Sequence, residues 1–114
     1  MNRSKTFRSS VCLGLGAASL CVAAWAQSAA DVASGRQKAQ ACAVCHGQLG
    51  VSSAPDAPNL AGQPALYTAA QLRAYRSGAR KHEVMAVLAK ALTDDDIAHL
   101  AAWFSVIKIE ANAP

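Results

Sequence analysis

Cys42-Ala43-Val44-Cys45-His46 carries the densest chemistry in this 114-residue chain. On a helical turn, two thiols three residues apart project to neighbouring positions on one face. With a histidine directly after the second, this spacing is the attachment signature of c-type haem. Each thiol can form a thioether with one of the two vinyl groups, and His46 is then carried under the ring to bind iron as the proximal ligand. The same Cys-x-x-Cys pair also suits a redox dithiol, half of a zinc site, or a disulfide. A zinc site calls for further Cys or His ligands at paired spacing, and a thioredoxin-like motif for alternating strands and helices. Neither pattern is present.

An iron held by one histidine needs a second axial ligand or keeps an open position. Met85 is the candidate, being the one methionine besides Met1, and enough chain separates it from His46 to cross a ring edge. His82 competes because it lies close to Met85. His99 falls among positions expected to face solvent. Asp94-Asp95-Asp96 looks like a metal site on paper, but it follows Thr93 at a helix start. Acids there cap the helix and complement its dipole.

The elements that must position these groups lie downstream of a leader. Residues 1–26 read as a cleaved secretory signal: basic Arg3, Lys5 and Arg8, an apolar run over residues 11–24, and Ala24-Trp25-Ala26 at the cleavage site. The run is too short and too rich in Ala and Gly for a comfortable membrane span. Ala18-Ser19-Leu20 lacks the small residue expected beside a lipidated cysteine, so Cys21 and Cys12 read as apolar filler. What remains, residues 27–114, is one small domain whose cysteines are Cys42 and Cys45. Both would be consumed by haem, leaving none for a structural disulfide. The leader also holds three of the eleven basic residues and none of the seven acids. The mature chain is therefore nearly neutral, which removes the case for nucleic acid binding. A domain this small gains from a cofactor at its centre. Secretion places it in the bacterial periplasm, without stable membrane insertion once the signal is removed.

Along the mature chain, residues 31–45 predict a first helix, with Asp31 as its N-cap or an early acid and Gly35 either a neutral accident or a place where another helix approaches closely. Residues 47–63 lose periodicity around Gly47, Gly50, Pro55, Pro58 and Gly62, which predicts a loop wrapping one haem edge. Residues 64–77 predict a helix with Pro64 at its first position and Gly78 past its end. Residues 82–92 predict a shorter helix carrying Met85. From Thr93, with its capping box, a last helix runs to about Lys108 and shows Ile97, Leu100, Phe104 and Ile107 on one stripe, with Trp103 beside it.

Taken in order, several segments resemble the small class I c-type cytochromes, single-haem periplasmic electron carriers also found as tandem dihaem forms. These are Cys42-Ala43-Val44-Cys45-His46-Gly47, Pro58-Asn59-Leu60-Ala61-Gly62-Gln63, Gln71-Leu72, Gly78-Ala79-Arg80, Met85, and Leu92 to Ile97 running into Leu100-Ala101-Ala102-Trp103-Phe104. The resemblance spans nearly all of the mature chain. It implies an all-α fold of about four helices around one covalent haem c, the N- and C-terminal helices crossing at Gly35 and Ala39 against Leu100 and Trp103. It implies that Met85 supplies the axial sulfur, that Pro58, Asn59 and Leu60 belong to the cofactor site, and that the Pro58 carbonyl accepts from Nδ1–H of His46. Relatives usually carry Tyr or Phe at the position of Trp103, and the segment from Gly78 to Met85 is short beside some of them.

The function that follows is one-electron transfer rather than catalysis, since His/Met ligation leaves no open position and raises the potential. The partners are then other redox proteins: a membrane cytochrome complex or dehydrogenase as donor, and an oxidase or reductase as acceptor. They would meet a monomer in brief complexes. Two alternatives stay open: a haem subunit of a periplasmic dehydrogenase, and a gas- or peroxide-binding site with Met85 off the iron. Arg73, Arg76, Arg80, Lys81 and Lys90 are either a docking surface for an acidic partner or ordinary solvated helix faces.

Overall fold

In the computed structural model, residues 28–112 are described. The signal reading of residues 1–26, with Cys12 and Cys21, lies outside them. Among the described residues five α-helices form: α1 (Ala29–Lys38), α2 (Ala43–His46), α3 (Ala65–Ser77), α4 (Glu83–Lys90) and α5 (Asp94–Val106). The extra one beyond the expected four is α2, a single turn. The predicted continuous helix over residues 31–45 is instead broken. Ala39–Ala41 form a 3₁₀ turn, and Cys42 N–H bonds back to Ala39 O at 3.0 Å. The tighter i→i+3 winding re-aims the chain just before the thiols.

Local chemistry sets the helix starts. Ser28 caps α1 by accepting from Asp31 N–H at 3.1 Å, while the Asp31 carboxylate accepts from Ser28 N–H at 3.0 Å. Asp31 is thus the third helical residue rather than the cap. Thr93 and Asp96 form the same reciprocal pair at α5. Pro64 caps α3 with extended ψ of 133° instead of opening it. Gly78 ends α3 with φ +81°, a conformation that costs glycine little.

Small residues let α1 lie close against α5. A Cβ built on Gly35 would stand 1.9 Å from the His99 carbonyl oxygen and 2.8 Å from Trp103 Cβ, so of its two readings the close approach holds. Ala39, Leu100 and Phe104 make the core below it, with Cys42, Leu60 and Leu72 packed on that cluster. Ala69, Ile97 and Ala101 make a second cluster between α3 and α5. His99, expected to face solvent, is mostly covered. Its Nε2 lies 3.6 Å from the Asp31 carboxylate, and its Nδ1 is buried with no hydrogen-bond partner, as is Trp103 Nε1. The tight α1–α5 packing covers the base of the ring while its tip reaches the first turn of α1.

Polar ties close the frame at its ends. Lys38 pairs with Asp96 at 2.5 Å. Arg76 donates to Leu92 O at 3.0 Å and to Asp94 at 2.6 Å, binding α3 to the joint between α4 and α5. Arg80 donates to Gln71 at 2.7 Å. Two members of the proposed basic patch are therefore committed to the fold.

Candidate functional site

A cavity of about 640 Å³ lies between the α2 turn with its following loop and the α3–α4 pair. That is within the ~300–1,000 Å³ usual for a small-molecule or cofactor site. Cys42, Cys45 and His46 line it from α2, Met85 from α4, and Pro58, Asn59 and Leu60 from the loop. The tertiary structure thus brings every predicted site residue to one space. His99 is not among the lining residues.

His46 is the best-fixed of these groups. It is 8% exposed, and its Nδ1–H donates to the Pro58 carbonyl at 2.8 Å. That bond assigns the proton to Nδ1 and leaves the Nε2 lone pair for a metal. Burial pushes the Cys42 thiol above its ordinary pKa, so it stays a neutral thiol until it reacts. Neither Cys42 nor Cys45 is in a disulfide. Among the described residues no group of three His, Cys, Asp or Glu side chains could hold a metal, and there is no strand. Zinc and thioredoxin-like readings of the motif gain no support from this geometry.

The loop over residues 47–63 is braced by contacts that sequence reasoning missed. Ser52 Oγ–H donates to the Cys45 carbonyl at 2.8 Å, and Ser52 N–H donates to Asn59 Oδ1 at 2.8 Å. Asn59 thus holds the loop as well as lining the cavity. Gly50 O accepts from Leu60 N–H at 2.7 Å and Ala61 N–H at 3.0 Å. A side chain at Gly50 would meet Phe104 Cδ1 at 2.8 Å, and its φ is +73°. Ser52 had no signal in the sequence beyond its place in a polar loop. His82, weighed as a rival ligand, also lines the cavity but uses Nδ1 to accept from Met85 N–H at 3.3 Å.

The rest of the lining is largely apolar and incompletely covered. Tyr67, Val84 and Leu88 are each about half exposed. A flat apolar group held by two thiols and an imidazole would cover them, so the donor set and the walls suit a covalent haem.

The family model described as Cytochrome c matches residues 32–107. The chain is 44% identical over 80 residues to cytochrome c-554(548) of Halomonas halodenitrificans, covering 68% of this chain and 96% of that one. It is 40% identical over 67 residues to a thiosulfate dehydrogenase electron acceptor of Stutzerimonas stutzeri, covering 56% of this chain and 31% of that protein. Among solved structures, reduced recombinant cytochrome c4 from Pseudomonas stutzeri superposes with a TM-score of 0.66 at 28% identity, over 72% of this chain and 50% of that one. The chain therefore spans nearly all of one relative and half or less of the other two.

Proposed function

The chain belongs to the cytochrome c family, and on that premise we propose its ligand set, its compartment and its partners. It is an electron-transfer protein with covalent haem c, in the class I all-α fold. Cys42 and Cys45 are the thioether anchors, His46 the proximal ligand and Met85 the distal one. Residues 27–114 are the working domain, released in the periplasm when residues 1–26 are cleaved. Among the described residues no helix is long and apolar enough to cross a membrane.

When bound, the haem supplies a reversible one-electron step at iron. The chain's own residues set its conditions. His46 is held by the Pro58 carbonyl, which fixes the ring plane and raises the basicity of Nε2. The Met85 thioether and the apolar walls favour the ferrous state and raise the potential. Were His46 and Met85 both to hold the iron, no position would be left for a substrate. The single observation that carries this reading is the His46–Pro58 bond inside a cavity that Cys42, Cys45 and Met85 also line.

A redox titration with visible and near-infrared spectra tests it, on the natural protein and on Met85→Ala. The oxidised natural protein should show the near-infrared band of methionine-ligated ferric haem. The variant should lose that band and titrate at a lower potential. A natural protein that lacks the band and binds carbon monoxide readily would instead be the gas-binding alternative. An unchanged potential in Met85→Ala would remove Met85 from the iron.

Partners are redox proteins docking briefly over a small area. Val44, between the two cysteines and 89% exposed, stands at the cavity mouth where such contact would form. Since Arg76 and Arg80 are held within the fold and Arg73 lies 3.9 Å from Asp94, a basic docking patch would rest on Lys81 and Lys90. Falling electron-transfer rates with rising salt would support it. A second reading, the haem subunit of a dehydrogenase, is favoured by the relative named as a thiosulfate dehydrogenase electron acceptor. Co-purification with a larger catalytic subunit on size exclusion would establish it.

A further inference from the structure

We propose that His82 is a positioning residue for Met85, fixing the helix that carries the thioether by capping it through the ligand's own backbone. This deepens the reading of Met85 as the axial ligand and rests on it. Helix α4 has eight residues, and its first N–H groups need acceptors from outside the helix. His82 precedes it in extended conformation, φ −167° and ψ 126°, and its Nδ1 accepts from Met85 N–H at 3.3 Å. Met85 is the third helical residue, the usual recipient of a capping bond. The residue that lines the cavity and the residue whose amide is tethered are therefore the same.

Histidine is an unusual choice. The chain caps α1 and α5 with Ser28 and Thr93, the residue types that normally do this. An imidazole offers what a hydroxyl does not, a ring that a second helix can grip. The Tyr75 ring meets His82 nearly edge-on, 77° between planes and 6.3 Å between centroids. The Arg80 guanidinium lies 4.7 Å over Tyr75, and Arg80 is itself tied to α3 through Gln71 Oε1 at 2.7 Å and Ala74 O at 3.0 Å. A continuous path of contacts thus runs from α3 through Tyr75 and His82 to the Met85 amide. Gln71, Tyr75, Arg80, His82 and Met85 all line the same cavity. With Nδ1 engaged on the backbone, His82 serves the ligand rather than replacing it.

The test is competition at the sixth position by free imidazole, followed optically in the ferric holoprotein. Losing the cap weakens the methionine-bound state, so His82→Ala should bind imidazole about five-fold more tightly, the equivalent of a cap of about 1 kcal/mol. His82→Asn, which restores a capping acceptor, should stay within about two-fold of the natural protein. In a Met85→Ala background, where no methionine competes, His82→Ala should change nothing. Should His82→Ala not accumulate, Tyr75→Leu carries the test: it frees the ring and should tighten imidazole binding about two-fold in the Met85 protein alone. The proposal is overturned if the natural protein shows its methionine band while the variant used binds imidazole no more tightly. It is overturned equally if His82→Asn binds imidazole as tightly as His82→Ala, because a restored capping acceptor would then count for nothing. A natural protein without the band fails earlier, at Met85, and that failure is distinguishable from the other two.

Discussion

The two walls of the cavity are built to different standards. On the His46 side, a buried imidazole is fixed on the Pro58 carbonyl, Ser52 ties the Cys45 carbonyl to the loop, and Gly62 N–H donates to Phe104 O at 2.8 Å. Behind it, α1 meets α5 across Gly35 with no room for a methyl group. On the Met85 side, a two-turn helix leans on α3 and is held at its start by a 3.3 Å cap. The difference teaches that the histidine wall is tied to both the loop and α5 by long-range hydrogen bonds, whereas the methionine wall packs mainly on α3 and opens more readily.

The largest expected effect lies on the tight wall. Gly35→Ala would push a methyl group into backbone, at the His99 carbonyl, and should cost about 3 kcal/mol in chemical denaturation. A loss below about 0.5 kcal/mol would show that α1 and α5 yield easily and would erase the contrast. Next in size is local opening. Amide hydrogen exchange of the ferric holoprotein should be at least about ten-fold faster across α4 than across the centre of α5. Equal protection would mean that both walls open together.

The smallest effect concerns the polar seam of the tight wall. The Lys38 ammonium, with the Thr93 backbone, lowers Asp96 from 3.8 to about 2. Hydrogen bonds from Ser28 lower Asp31, and Arg76 lowers Asp94. For a carboxylate whose folded pKa is depressed, the stabilisation is complete above its unfolded value and disappears as pH falls through the folded one. Asp96 therefore contributes fully above about pH 4 and loses its contribution toward pH 2. Denaturation midpoints should fall across that window, and less steeply in Asp96→Asn. Identical slopes in the two proteins would remove Asp96 as a source of the acid sensitivity.

What could be read from the sequence was mostly local. The Thr93–Asp96 box was legible because it closes within one turn, and Gly35 because a glycine inside a helix asks for a reason. The break at Ala39–Ala41 was not, because residues 31–45 carry no glycine or proline where the winding changes. The bracing of the loop by Ser52 was opaque for a related reason. The partners of Ser52 lie seven residues away across a loop, and no periodicity encodes that distance. His99 was misjudged because helical position alone does not reveal how closely α1 comes.

The sequence by itself determined that two thiols and an imidazole would be presented together, because adjacency in Cys42-Ala43-Val44-Cys45-His46 survives any fold that winds that stretch into a turn. It also confined the choice of a second ligand to Met85, His82 and His99. Only the tertiary structure gave those three their surroundings. It brought Met85 to the cavity on α4, committed His82 Nδ1 to the Met85 amide, and packed His99 between α1 and α5. The reason is physical: which face of a helix meets a cavity depends on the helices packed behind it, and those are distant in the chain.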